Sequence, residues 1–201
     1  MWDTLYIDTS NLKVEPGQML LRTHTSNFWP RLMEMGKTPI QAMSFDRCFR
    51  YEAVDARHSH TFNQFEIAVV GENPSTSLRA GITMANLKYL SDYLLKAILG
   101  KEAKSRFRPK FYPFVEPGVG IDSLCVFCHG KGCKICSGTG WFEIAGAGMI
   151  HPNVLKKVGY DCQKVSGFAF AIGLSRLVTL RYQMDDLRLL TNPDLRILEQ
   201  F

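Results

Sequence analysis

The feature that most restricts how this chain can fold is a tandem octapeptide. Residues 125–132 read CVFCHGKG and residues 133–140 read CKICSGTG, so C-x-x-C-x-G-x-G occurs twice without a gap. Each C-x-x-C can turn two thiolates toward one point, and the glycines permit a tight backbone that aims amide N–H groups at sulfur. Two such pairs separated by four residues complete a tetrahedral set of four thiolates, Cys125, Cys128, Cys133 and Cys136, which suits Zn2+. A redox C-x-x-C would need only one pair, and disulfides are disfavoured in a chain that opens without an export signal. His129 is the alternative ligand within the stretch. A closed four-thiolate site has no open position for substrate, so it is expected to staple a loop and perform no chemistry.

The remaining composition is that of a globular chain: 201 residues, 46% hydrophobic and 21% charged, enough to bury one sizeable core. No apolar run approaches the roughly 20 residues needed to span a bilayer, and Met1-Trp2-Asp3-Thr4 has neither the basic flank nor the apolar stretch of a signal peptide. A soluble, cytoplasmic protein without a membrane partner is the expectation. The net charge of +5 is compatible with an anionic partner but too small to identify one.

Local patterns predict an α+β domain on an antiparallel sheet. Trp2 to Ile7 and Met19 to Leu21 read as short strands about the turn Glu15-Pro16-Gly17, and Phe28 to Met35 reads as a helix ended by Gly36. Ile40 to Tyr51 and Thr61 to Val70 read as a hairpin whose polar loop, Glu52 to His60, is long enough to carry function. Alternation in the second strand puts Phe62, Gln64 and Glu66 on one face, an aromatic ring, an amide and an acid together. Gly71 to Gly81 reads as a loop, and Ile82 to Leu99 has the apolar spacing of a helix. Residues 105–116 are extended and aromatic. A strand from Trp141 to Ile144 runs into Gly146-Ala147-Gly148, and Ser166 to Phe170 reads as a buried strand breaking at Gly173 into a helix, Leu174 to Tyr182. Cys48 and Cys162 read as buried small hydrophobes, and His60 as solvent-facing.

Three segments invite a joint reading: FRYE (Phe49 to Glu52), FNQFE (Phe62 to Glu66) and GLSR (Gly173 to Arg176). Arg-x-Glu in a hairpin followed much later by Gly-Leu-x-Arg resembles motifs 2 and 3 of class II aminoacyl-tRNA synthetases. With LLRTHTS (Leu20 to Ser26), FYPFVEP (Phe111 to Pro117), GAGMIHPNVL (Gly146 to Leu155), SGFAFAIGLSRL (Ser166 to Leu177) and a closing LRILEQF, the chain resembles the phenylalanyl-tRNA synthetase α-subunit family nearly end to end.

The resemblance implies a class II synthetase-like antiparallel sheet flanked by helices over 1–201, with 125–140 a zinc-binding insertion. It implies ATP-dependent activation of L-phenylalanine and transfer to tRNA(Phe). That chemistry brings two anions together, so it rests on positioning and charge neutralisation, for which arginine forks are suited. By resemblance, Arg50 bridges the amino-acid carboxylate and the α-phosphate, with Glu52 beside it in motif 2. Arg176 covers the far side of the nucleotide, Phe62 stacks on adenine and His58 reaches the phosphates. Glu116 is the implied Mg2+ ligand with Glu143 assisting, since Mg2+ takes oxygen ligands and phosphate. Gln64 and Glu66 take the ammonium with His24 and Ser26, and Trp2 contacts the polar end. Tyr112, Phe114, Val115 and Ala147 hold the ring, and Ala169 closes the pocket at the para position. An apolar pocket rejects tyrosine by only about a hundredfold, so editing is expected on a β subunit, the partner in a heterotetramer of two α and two β chains.

The sequence departs from the family pattern at Trp29, where glutamine is expected, at Asn63 for a usual histidine and at Ser175 for a usual glutamate. Pro74 to Gly81 reads as an insertion of a length that a surface loop tolerates. The long helical hairpin and motif 1 that open family chains do not precede these segments, so this core is expected to bind tRNA weakly by itself. Taken singly, Arg50 with Glu52 reads as a solvated strand-end pair, His24 and His151 as loop histidines, and Tyr112 with Phe114 as plain core. The repeat also resembles the zinc modules of DnaJ chaperones, which supplies the alternative of a zinc-stapled, chaperone-like or regulatory binding module without catalysis.

Overall fold

Strand Ile40–Phe49 (β1) returns as Thr61–Glu72 (β2), paired antiparallel from Ile40 opposite Val70 to Phe49 opposite Thr61. In this computed structural model, which describes residues 4–11, 13, 15, 19–73, 81–192 and 194–200, β2 does not lie at an edge. Its other side pairs with Val165–Gly173 (β6), whose further neighbour is Trp141–Ile150 (β5). Val115–Leu124 (β4) and Ser105–Pro109 (β3) complete a six-stranded antiparallel sheet in the order β1-β2-β6-β5-β4-β3. The expected α+β, antiparallel architecture is what forms.

Helices cover the sheet where their apolar stripes demand it. Met84–Leu99 (α2) turns Leu87 and Leu95 inward, and Leu174–Arg181 (α4) adds Leu177 and Leu180; all four join Ile121, Phe142, Phe168, Phe170 and Ile172 in one core cluster. Complete burial of one such leucine contributes about 1.5–3 kcal/mol. The Asn86 side chain closes the first turn of α2 by accepting from the Thr83 N–H (2.8 Å), and Gly100, at φ +101°, ends the helix. A second cluster joins Trp29 and Met33 of Phe28–Met33 (α1) and Leu155 of Pro152–Lys157 (α3) to Ile40, Ala68, Val70, Ile150 and Ala169. A short helix, Leu195–Leu198 (α5), lies near the end of the chain.

The structure differs from the sequence expectation in three places. The segment before α1 holds a single antiparallel bridge, Tyr6 to Leu20, in place of two strands; Trp2, Pro16 and Gly17 lie outside the described residues, as does Pro74–Ala80. The extended segment 105–116 divides between β3 and the start of β4, and β4 continues to Leu124 through Pro117, Gly118 and Gly120, which look like turn punctuation in sequence. And β5 does not stop at the glycines but carries them to Ile150. A Cβ on Gly146 would sit 2.4 Å from the Tyr112 hydroxyl, and one on Gly148 would sit 2.6 Å from the Pro117 carbonyl. Close approach of neighbouring chain, not a break, requires these two glycines. Gly148→Ala should therefore destabilise the fold by about 1–3 kcal/mol in chemical denaturation; an unchanged midpoint would refute the contact.

Candidate active site

On the sheet face opposite α2, strands β2, β5 and β6, the hairpin loop 50–59, the start of α4 and the segment 110–115 enclose a cavity of about 460 Å3, within the range of small-molecule sites. At its inner end lies Glu66, 1% exposed, a carboxylate on the central strand β2. One oxygen accepts from the Thr25 hydroxyl (2.6 Å), the Ser26 hydroxyl (2.9 Å) and the Gln64 amide (3.4 Å), the other from the Trp29 indole N–H (3.0 Å). Gln64 also donates to the Thr25 oxygen at 3.0 Å. Every group here is a donor to Glu66, which is the pattern of an ionised acid. Burial pushes this carboxyl above its ordinary value, and the four donors pull against that shift.

The donors are brought together by local conformation. The 3-10 turn Thr25–Asn27 sends two consecutive hydroxyls to the same oxygen, something a period-two reading of the sequence does not foresee, and Thr25 was accordingly not among the expected site residues. Trp29, the departure from the family's glutamine, is itself 1% exposed and uses its indole as a donor. The hydroxyl of Ser26 and the amide of Gln64 spend their protons inward, which leaves oxygen lone pairs to face a cation in the cavity.

Beside this end is an aromatic recess. Phe114 lies 5.8 Å from the His24 ring, 6.4 Å from Trp29 and 6.1 Å from Tyr112, so the two aromatics flanking Pro113 do fall on one side. Val115, Ala145, Ala147 and Ala169 supply the opposing small surface. The Tyr112 ring lies against the bare backbone of Gly146, with Lys110 Nζ 5.6 Å from its centroid.

The outer end is cationic. Arg50 donates to the Thr23 carbonyl (3.1 Å), sits 4.8 Å over the Phe62 ring and lies 3.7 Å from Glu52, which also lines the cavity. Arg176, at the start of α4, donates to the backbone carbonyls of Glu143 (2.9 Å) and Arg57 (3.4 Å) and lies 5.3 Å from the Phe142 ring. Burial draws its pKa down, yet a guanidinium stays charged. His58 lines the same end, with Nδ1 3.0 Å from both oxygens of Asp55. Asp55 is held down to about 2, first by the Arg57 N–H and then by His58. Asn63 and Ser175, the other two departures, are neighbours here, the Ser175 hydroxyl accepting from the Asn63 N–H at 3.3 Å.

Of the two expected magnesium ligands, Glu143 lines the cavity and Glu116 does not. Glu116 has a 72% exposed side chain outside the cavity and meets His151 Nε2 at 3.1 Å, while His151 Nδ1 caps α3 by accepting from the Asn153 N–H. Val115 lines the cavity and Glu116 does not. Glu143 does line it, but Arg108 (2.9 Å) and Lys110 (2.5 Å) occupy its two oxygens. Sequence reasoning missed Lys110, a cavity cation, and Arg57, a lining residue whose guanidinium turns toward Ser137 and Lys134. Cys48 is buried and Cys162 half-buried, and His60 is exposed.

The tandem octapeptide forms the connection from β4 to β5. Its two halves share two bonds at matching positions: Lys131 N–H to Cys128 O and Thr139 N–H to Cys136 O, Gly132 N–H to Cys128 Sγ and Gly140 N–H to Cys136 Sγ, the last two both 3.2 Å. Gly132 and Gly140 have positive φ and pack against backbone of the other half, where a Cβ would come within 2.5 and 2.4 Å of Gly138 and Gly130 carbonyls. The sulfurs of Cys125 and Cys133 are 3.9 Å apart, Cys128 and Cys136 3.8 Å, and Cys133 and Cys136 3.7 Å. A tetrahedron with Zn–S bonds of about 2.3 Å has edges of about 3.8 Å, whereas a disulfide needs about 2.05 Å. All four ligand atoms lie within 4.8 Å of one another, and His129 is not among them. The donor set and its spacing fit a structural zinc.

The antiparallel sheet, the arginine at the hairpin end and the arginine opening the helix after β6 together define a class II aminoacyl-tRNA synthetase core. The family model for "tRNA synthetases class II core domain (F)" matches residues 1–201, and the chain belongs to this family. It is 46% identical over 199 residues to the phenylalanine--tRNA ligase alpha subunit of Caldanaerobacter subterraneus subsp. tengcongensis, covering 99% of this chain and 54% of the relative. It is 43% identical over 201 residues to the subunit of the same name from Alkaliphilus oremlandii, covering 100% and 55%. The chain spans about half the length of these curated relatives. Among solved structures, the pyrrolysyl-tRNA synthetase of Desulfitobacterium hafniense superposes with a TM-score of 0.61 at 16% identity over 92% of this chain and 56% of that one, a likeness of fold. No helix among the described residues is long and apolar enough to cross a membrane.

The pocket makes one pH dependence testable. Burial and then the charge of Arg50 lower the pKa of His24 from 6.5. Below about pH 6.5 the unfolded chain takes up a proton that the folded one refuses, so stability falls as pH falls. His24→Gln should shrink the difference in urea midpoint between about pH 7.5 and about pH 5.5; an undiminished difference would exclude this histidine as its source.

Proposed function

We propose that the chain is the amino-acid-activating core of a phenylalanyl-tRNA synthetase α subunit. The observation that carries this reading is that one cavity joins a buried carboxylate with neutral donors, an aromatic recess and two arginines. Glu66, with the free lone pairs of Gln64 and Ser26, receives the ammonium of L-phenylalanine. The benzyl group enters beside Tyr112 and Phe114, where edge-to-face packing adds roughly 1 kcal/mol beyond area burial. Ala147 and Ala169 leave room for the ring but offer nothing to a para hydroxyl. The burial of His24 keeps it from competing as a second cation.

With the ammonium and ring fixed, the carboxylate is directed toward Arg50 and the outer end. Its oxygen attacks the α-phosphorus of ATP, the bond from that phosphorus to the bridging oxygen breaks, and pyrophosphate leaves. Arg50 neutralises the meeting of carboxylate and α-phosphate, and Arg176 and His58 hold the remaining phosphates. Phe62 offers adenine a stacking surface, one side of which Arg50 uses. A tRNA ribose hydroxyl then attacks the acyl carbon and AMP departs. Magnesium is a general requirement of the family and would enter with the ATP phosphates. The β subunit in a two-α, two-β assembly, tRNA(Phe) and a cytoplasmic location are inferred from the likeness to the alpha subunits, as is editing on the partner. Zinc in the four-cysteine connection is inferred from its donor set and spacing.

Phenylalanine-dependent exchange between pyrophosphate and ATP tests the reading. The chain assembled with a β subunit should catalyse it, and Arg50→Ala should lower the rate by at least about a hundredfold. No exchange with the partner present, or an undiminished rate in the variant, would contradict catalysis and leave a zinc-stapled binding module.

A further inference from the structure

The four-cysteine connection touches the loop that carries His58. Arg57 points its guanidinium away from the phosphate end and into the second octapeptide, donating to the Ser137 hydroxyl at 2.7 Å and the Lys134 carbonyl at 2.8 Å. These two acceptors bracket Cys136, and Ser137 is held at φ +52°, a conformation that a serine adopts only under constraint. The backbone of the same loop is tied inward: Arg176 donates to the Arg57 carbonyl, and the Leu187 N–H donates to the Ala56 carbonyl at 2.9 Å. Phe127 and Ile135, the third residue of each C-x-x-C, pack around a small crevice with Ala56, Phe142 and Arg176. Nothing in the catalytic reading uses the contacts of the Arg57 guanidinium.

We infer that Arg57 is a positioning residue through which the metal-loaded four-cysteine connection holds the His58 loop, so that metal occupancy and nucleotide affinity are coupled. The inference rests on the nucleotide-end reading given above. With Zn2+ bound, the four sulfurs fix the turn Cys133–Cys136 and hence the positions of Ser137 Oγ and Lys134 O. A guanidinium docked on both has little freedom, because its planar fork meets two acceptors at set spacing. The loop then presents His58 and the Arg57 carbonyl, the latter helping to orient Arg176. Without metal the four thiols lose their common centre, the acceptors move independently, and the loop keeps only its inward ties. Coupling of this kind is a free energy shared by two sites and is therefore reciprocal.

The test uses the chain assembled with its β partner and three readouts: zinc per chain, hydrogen exchange of residues 51–59, and binding of ATP alone and of L-phenylalanine alone by calorimetry. The loaded protein should contain about one zinc per α chain. Stripping zinc with a thiol-reactive reagent and a zinc-selective chelator should speed exchange in 51–59 and weaken ATP binding about tenfold, with L-phenylalanine affinity retained. Arg57→Ala should keep its zinc, reproduce both effects, and respond no further in 51–59 when the metal is removed. Arg57→Lys, which cannot reach both acceptors with one planar group, should restore the effect only in part. Zinc absent from the purified protein, exchange in 51–59 indifferent to stripping, or an Arg57→Ala variant with zinc and normal loop exchange would each overturn the coupling. Failure of the loaded wild type to bind ATP would instead strike the nucleotide reading, since the exchange arm reports on the loop without substrate.

Discussion

An acid buried in the middle of a sheet is the constraint around which this molecule is arranged. An isolated ionised carboxylate loses several kcal/mol on leaving water unless donors replace its hydration, and Glu66 finds its four on three separate segments: the turn at Thr25–Asn27, helix α1, and its own strand. None of these can shift without leaving the charge exposed to an apolar surround. Trp29 makes the dependence explicit, because the same side chain that donates to Glu66 is also the largest member of the cluster beneath α1 and α3. Among the described residues no ion pair is formed by Glu66. The donors stabilise the charge without neutralising it, which leaves the site complementary to an incoming cation.

Charge elsewhere in the cavity follows the same division. Glu143 is neutralised within the fold by Arg108 and Lys110, whereas Glu66 meets neutral donors. Arg50 and Arg176 are held mainly by backbone carbonyls, with Glu52 at 3.7 Å the nearest acid to Arg50. Carbonyls orient a guanidinium while leaving its positive charge for phosphate. The aromatic recess lies beside the acidic end, around Phe114, Trp29 and His24.

Much of this was legible in the sequence where a single physical rule sufficed. Period-two alternation put Phe62, Gln64 and Glu66 together, and the structure places all three on the cavity. The apolar spacing of α2, the break at Gly173 and the tandem cysteines were equally direct. Legibility failed where two rules conflicted. Strand β4 contains Pro117, Gly118 and Gly120, residues that punctuate turns in sequence, but here the bare Cα of Gly118 lets the Lys110 carbonyl and the Tyr112 ring approach. Glu116 is named by likeness of motif alone, and its side chain is exposed beside His151. Thr25, Lys110 and Arg57 were missed because their roles arise from a 3-10 turn and from contacts across long stretches of chain, 80 residues in the case of Arg57 and Ser137.

The central claim is that the buried carboxylate reads the ammonium of the amino acid. It is tested most directly by calorimetric titration of the assembled protein with L-phenylalanine and with 3-phenylpropanoate, which has the same ring and carboxylate but no amine. The account requires the amine-free compound to bind at least about a hundredfold more weakly, and the gap to close in Glu66→Gln through loss of phenylalanine affinity. Equal affinity of the two compounds for the wild-type protein would contradict it.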